Sequence, residues 1–120
     1  MRKIIGSVFL SLDGVMQAPG GPEEDPTARF DHGGWVAPYF DGSLDGPMDA
    51  LLGGDYELLL GRRTWEIFAT YWPHNGEIPV GETFNRVAKH VVTSRPLRYE
   101  WANSHVVNGD PAQGIAALKA

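Results

Sequence analysis

Two short segments join an apolar run to glycine, hydroxyl and arginine side chains, a combination suited to holding a phosphate. The first is Leu58-Leu59-Leu60-Gly61-Arg62-Arg63-Thr64-Trp65, which reads as a buried strand passing through a glycine turn straight into a helix. The first amides of a helix lack intrahelical acceptors and the macrodipole gathers partial positive charge there, so an anion is favoured. Arg62 and Arg63 would add full charges, Thr64 a hydroxyl, and Gly61 a close backbone approach. The plainer alternative is a tight turn at Gly61 with both arginines solvated. The second segment, Val91-Val92-Thr93-Ser94-Arg95-Pro96, puts hydroxyls and an arginine at the carboxyl end of a strand, where open α/β sheets bind ligands. An arginine with hydroxyl partners suits a ribose 2′-phosphate and would favour NADPH over NADH, although Ser-Arg pairs are also common in turns.

A third candidate is Asp13, in Ser11-Leu12-Asp13-Gly14. Its carboxylate could orient a substrate amine or a nicotinamide carboxamide. It could equally be a turn-former bonded to nearby amides. The four histidines, His32, His74, His90 and His105, have no i, i+4 pairing and no metal-ligand spacing, so no metal site is expected. No nucleophile elbow, Walker loop or Gly-x-Gly-x-x-Gly fingerprint occurs, which leaves acyl hydrolysis, NTP hydrolysis and ordinary Rossmann binding without support.

The elements that must position these groups alternate along the chain. Residues 3–10 form a short apolar run with β-branched members and read as a buried strand. From Val15 to about Gly46 the chain is rich in Gly, Pro and Asp, and reads as a long loop that is either functional or disordered. Phe30, Trp35, Tyr39 and Phe40 suggest that its second half packs down, over a ligand or over the edge of the core. A short helix over 44–53, a strand over 56–60, a helix over 64–71 ended by Pro73, a helical turn at 82–88 and strands at 90–94 and 104–107 follow. A last helix runs from Pro111 through Lys119, with Asp110 as its N-cap. Apolar strands without period two, alternating with helices, imply a parallel sheet covered on both faces.

Composition narrows the classes of function. The 120 residues are 42% hydrophobic, enough for one domain with a core. A net charge of -5 speaks against nucleic acid as a partner, and the absence of cysteine excludes disulfides and thiolate metal sites. No stretch approaches the roughly 20 apolar residues of a membrane helix and no signal peptide is evident, so a cytoplasmic location is the default expectation.

Taken in order, these segments resemble the dihydrofolate-reductase-like superfamily. They are most similar to small bacterial proteins akin to the reductase domain of the bifunctional riboflavin-biosynthesis deaminase-reductase. Ser11-Leu12-Asp13-Gly14 resembles the end of the first strand in the riboflavin group. Leu60-Gly61-Arg62-Arg63-Thr64-Trp65-Glu66 resembles the Gly-Arg-x-Thr-Trp-Glu of dihydrofolate reductases, and Val92-Thr93-Ser94-Arg95 the segment that meets the adenosine 2′-phosphate. The resemblance implies a three-layer α/β/α domain with a mostly parallel central sheet. It implies NADPH as cofactor, with Gly61, Arg62, Arg63 and Thr64 at its phosphates, Ser94 and Arg95 at its adenosine end, and Asp13 beside nicotinamide and substrate. The implied reaction is hydride transfer to a small pterin-, pyrimidine- or riboflavin-precursor-like compound. A later strand with a Gly-rich turn, part of the family pattern, is not found before Ala120. The expectation is therefore a domain shortened at its carboxyl end, or a homodimer that completes its sheet between copies; the alternative function is a non-catalytic homodimeric module binding a nucleotide or phosphate.

Overall fold

A computed structural model describes residues 1–120, which fall into two compact units: Ile4–Gly53, and Gly54–Ala120 together with Met1–Lys3. In the first unit, residues 3–10 form no strand, and Ile4, Ile5, Val8 and Leu10 are exposed. This corrects the expectation of a buried strand there. An apolar β-branched run becomes a strand only where a neighbour takes up its backbone groups, and hydropathy alone does not supply that neighbour.

The long segment that follows is held by local hydrogen bonds. Trp35 Nε1 donates to the Gln17 carbonyl at 2.9 Å, and Gln17 Nε2 donates to the carbonyls of Asp25 and Thr27. The Glu24 carboxylate accepts from the amides of Gly20 and Gly21. Ala18 and Val36 are buried between these turns, whereas Tyr39 and Phe40 stay exposed. Helix α1, Asp45–Leu52, carries Pro47 in its first turn, and the Gly53 amide closes it on the Asp49 carbonyl at 2.7 Å.

In the second unit the elements are β1 (Leu58–Gly61), α2 (Arg62–Tyr71), α3 (Pro79–Arg86), β2 (Lys89–Val92), β3 (Ser104–Val107) and α4 (Pro111–Lys119). The three strands make one parallel sheet in the order β1-β2-β3, in the register Leu58 to Lys89 to Ser104 at one end and Gly61 to Val92 to Val107 at the other. Burial along β1 alternates between half-buried and exposed, so it is not the fully buried strand that its leucines suggest. It lies at the edge of the three-stranded sheet, where only one neighbour covers it.

The core lies on the sheet face that carries Lys89 and Val91. On α2 and at its C-cap, Trp65, Phe68, Ala69 and Trp72 recur at i, i+3, i+4 and i+7 and form one apolar stripe. Trp65 and Val91 are fully buried, with Ala69, Phe84 and Trp101 nearly so. Phe84 stacks on Phe68 at 5.9 Å and meets Trp72 edge-on at 5.3 Å. Two of the indole donors inside are tied, Trp65 Nε1 to Ser104 Oγ at 2.9 Å and Trp101 Nε1 to Asn85 Oδ1 at 2.7 Å, whereas Trp72 Nε1 is buried without a partner.

Lys89 is fully buried in this aromatic setting. Its Nζ donates to the carbonyls of Phe84, Val87 and Asn85 at 2.6, 2.8 and 3.2 Å, and lies 4.4 Å from the centre of the Trp101 ring. These are the carbonyls that the end of α3 leaves without amide partners, so the ammonium serves as its C-terminal cap. Desolvation nonetheless pushes its pKa down to about 8.

Candidate functional site

The register brings the carboxyl ends of all three strands to one edge of the sheet. Beyond Gly61, Val92 and Val107 lie the first turn of α2, the turn Thr93-Ser94-Arg95 and the turn leading into α4. A recess of about 320 Å³ opens there, with Arg62 on one side, Thr93, Ser94 and Arg95 on another, and Gly109 and Pro111 closing it. The two arginine segments singled out in the sequence therefore meet at one site.

Each wall has a local cause. Helix α2 starts at Arg62 rather than Thr64, two residues earlier than the sequence suggests, with Gly61 extended at its N-cap position and no side-chain cap. Gly61 therefore offers no side-chain acceptor to the first turn. Thr93 Oγ1 accepts from the Arg95 amide at 3.0 Å and donates to the Arg95 carbonyl at 2.9 Å, which closes the turn and commits that hydroxyl. Ser94 and Arg95 project from this turn and are exposed. On the third side Gly109 adopts φ +80°, a conformation that favours glycine, and the Asp110 carboxylate caps α4 by accepting from the Gln113 amide at 2.9 Å. Helix α4 packs tightly on β3, since a Cβ at Gly114 would collide with Val107.

Arg62 is not a simple free charge. Its Nη1 donates to both oxygens of Glu66 at 2.7 Å, one turn along the helix, and both side chains are largely buried. Arg98 Nε approaches the same carboxylate at 4.0 Å. The sequence does not single out Glu66 as a partner of the site. The four-residue spacing of an arginine and a glutamate on one helix face is the signal that reveals it. In the sequence Asp110-Pro111 announces only a helix start; in the sheet this turn is the third strand-to-helix junction and borders the recess.

Arg63 and Thr64 occupy the same first turn of α2, are exposed, and do not line the recess; nor does Gly61. Asp13 belongs to the Ile4–Gly53 unit. There its carboxylate accepts from Ser11 Oγ at 2.5 Å in a turn closed by the Gly14 amide on the Ser11 carbonyl and by the Val15 amide on Ser11 Oγ. The Ser11 hydrogen bond holds its pKa below the usual aspartate value, so it is an ionised acceptor at neutral pH. No three histidine, aspartate or glutamate side chains converge as a metal site would need, and no helix is long and apolar enough to cross a membrane.

By fold and site the second unit is a mixed α/β structure built on a three-stranded parallel sheet, with a cationic recess at the carboxyl ends of its strands. No protein-family model matches the chain, and no curated protein sequence does.

Proposed function

We propose that this recess binds the phosphorylated end of a nucleotide, and that the chain is the cofactor-binding part of an NADPH-dependent reductase of the dihydrofolate-reductase-like superfamily. The observation that carries the reading is the meeting of Arg62 with Ser94 and Arg95 at the carboxyl ends of parallel strands. The donor set fits a phosphate. Arg62 binds Glu66 through Nη1 alone, so Nη2 and Nε are not part of that pair, and Ser94 offers a hydroxyl beside the Arg95 guanidinium. At about 320 Å³ the recess is at the small end of ligand sites and suits a phosphorylated sugar rather than a whole dinucleotide. In this reading the full domain is a three-layer α/β/α structure around a mostly parallel sheet. NADPH, when bound, would supply the hydride for a small heterocyclic substrate. Arg62 and Arg95 hold and orient the phosphate; Asp13, within its own unit, is an ionised acceptor suited to N–H groups.

A second reading is a non-catalytic phosphate-binding module acting as a homodimer. It is favoured by the Glu66 carboxylate on Arg62 and by the engagement of Asp13 with Ser11. Calorimetric titration with NADPH, NADH and phosphate, on the chain and on Arg62→Ala, Arg95→Ala, tests both readings. Saturable NADPH-selective binding that the double variant loses supports the reductase. Phosphate binding without NADPH preference, and without NADPH oxidation over a substrate panel, supports the module. Absence of any binding would sink both.

A further inference from the structure

Beyond the recess itself, and resting on the reading of it as an anion site, we infer that Glu66 is the counter-charge that limits its anion affinity. Glu66 is a positioning residue acting through Arg62, and it sets how much positive charge the recess presents. The carboxylate takes both of its hydrogen bonds from Arg62 Nη1 at 2.7 Å and is one of the least exposed ionisable groups near the site, with 16% of its side chain accessible. Poorly solvated, it is little screened by water or salt, so its field reaches any anion that Arg62 contacts. Arg98 offsets it only in part, since it approaches no nearer than 4.0 Å and is 75% exposed. With Glu66 ionised, Arg62 and Arg95 together present a net charge near +1 rather than +2.

Two effects of Glu66 oppose each other. Holding Arg62 in place spares a ligand the ordering of a long side chain, whereas the negative charge repels the ligand directly. Replacement by glutamine separates them: the amide oxygen still accepts from Nη1, so most of the tether survives, and the charge is gone. One unit charge several ångströms from a bound anion, in a dielectric between protein and water, corresponds to roughly a tenfold change in affinity. The charge effect dominates once the tether is retained. Aspartate keeps the charge and shortens the reach, so it should leave affinity within about threefold of the parent chain.

The test is an NMR titration with inorganic phosphate at low ionic strength, following the backbone amides of Thr93, Ser94 and Arg95 in the parent chain, Glu66→Gln and Glu66→Asp. Binding about tenfold tighter in Glu66→Gln, with Glu66→Asp near the parent, supports the inference. If the parent binds phosphate, Arg62→Ala, Arg95→Ala abolishes that binding, and Glu66→Gln is unchanged or weaker, the inference is overturned while the anion site stands. Equal tightening by glutamine and aspartate also overturns it, since release of the tether would then be the cause. If neither the parent nor Glu66→Gln responds, the anion site itself is wrong. Glu66→Asn, which keeps an amide oxygen without the charge and is read against Glu66→Asp of the same length, replaces the glutamine variant if circular dichroism shows that the latter does not fold.

Discussion

The two ends of the same three-stranded sheet treat their polar groups in opposite ways. At the amino end, where Leu58, Lys89 and Ser104 are in register, Lys89 gives its ammonium to three carbonyls and Ser104 takes the Trp65 indole N–H. At the carboxyl end Ser94 and Arg95 are exposed around a recess, and Arg62 is only partly engaged. A cation whose bonds are all internal holds a fold together; one that keeps donors facing an open recess is available to a ligand. Stability is therefore expected to concentrate at the amino end and binding at the carboxyl end.

The sharpest way to break this contrast is Trp65→Ala, which removes a fully buried indole and strands the Ser104 hydroxyl. Denaturant unfolding should show a loss of about 3–5 kcal/mol. Lys89→Met leaves the carbonyls at the end of α3 without their donor and should cost about 1–3 kcal/mol. The same lysine predicts a pH effect. Its folded pKa of about 8 is below the ordinary value of 10.5, so the unfolded chain binds more protons in that window and stability should rise as pH goes from about 8 to about 10.5. A flat profile there that persists in Lys89→Met would mean that the ammonium is not desolvated. Asp110→Ala, at the carboxyl end, removes only a helix cap and should cost about 1 kcal/mol in thermal or chemical melts.

Arg95→Ala, which removes an exposed guanidinium without unpairing Glu66, should shift stability by less than about 1 kcal/mol while weakening phosphate roughly tenfold. A large stability loss in that variant would erase the distinction between the two ends. The smallest effect belongs to Glu57, just before β1. Hydrogen bonds from Arg2 and then His90 hold its pKa below the ordinary value of 4.5, so the stability it adds is present above that pH and lost as pH falls through the lowered value. Comparing acid melts of the parent and Glu57→Gln reads it out.

What the sequence reveals follows the range of the interaction responsible. Helix α4 and strand β3 agree with their expected bounds, because the Asp110 cap, Pro111 at the first helical position and the Val-rich run act within a few residues. Helix α1 agrees for the same reason. The starts of α2 and α3 fall earlier than expected. Gly61 carries no capping side chain to announce Arg62, and Pro79 opens α3 where the surrounding Pro and Gly suggest a loop. Residues 3–10 have strand composition but form no ladder, and no local pattern reports on pairing. The burial of Lys89 depends on where α3 ends relative to β2, so a lysine beside a strand gave no hint of it. At the site, both arginine segments were legible as strand ends, whereas the Glu66 bond and the Asp110 turn came from how those ends assemble.

The parallel register also has a consequence for the order in which the site is made. Lys89 pairs with Leu58 on one side and with Ser104 on the other, and the first closure spans about twice the length of chain of the second. Each doubling of a closed loop costs about 0.6 kcal/mol more chain entropy. Pairing of β2 with β3, which defines the Arg95 side of the recess, is thus the easier early step in folding. The Arg62 side arrives with the longer crossover, so a ligand bridging both arginines would slow unfolding chiefly by restraining the last strand to dock.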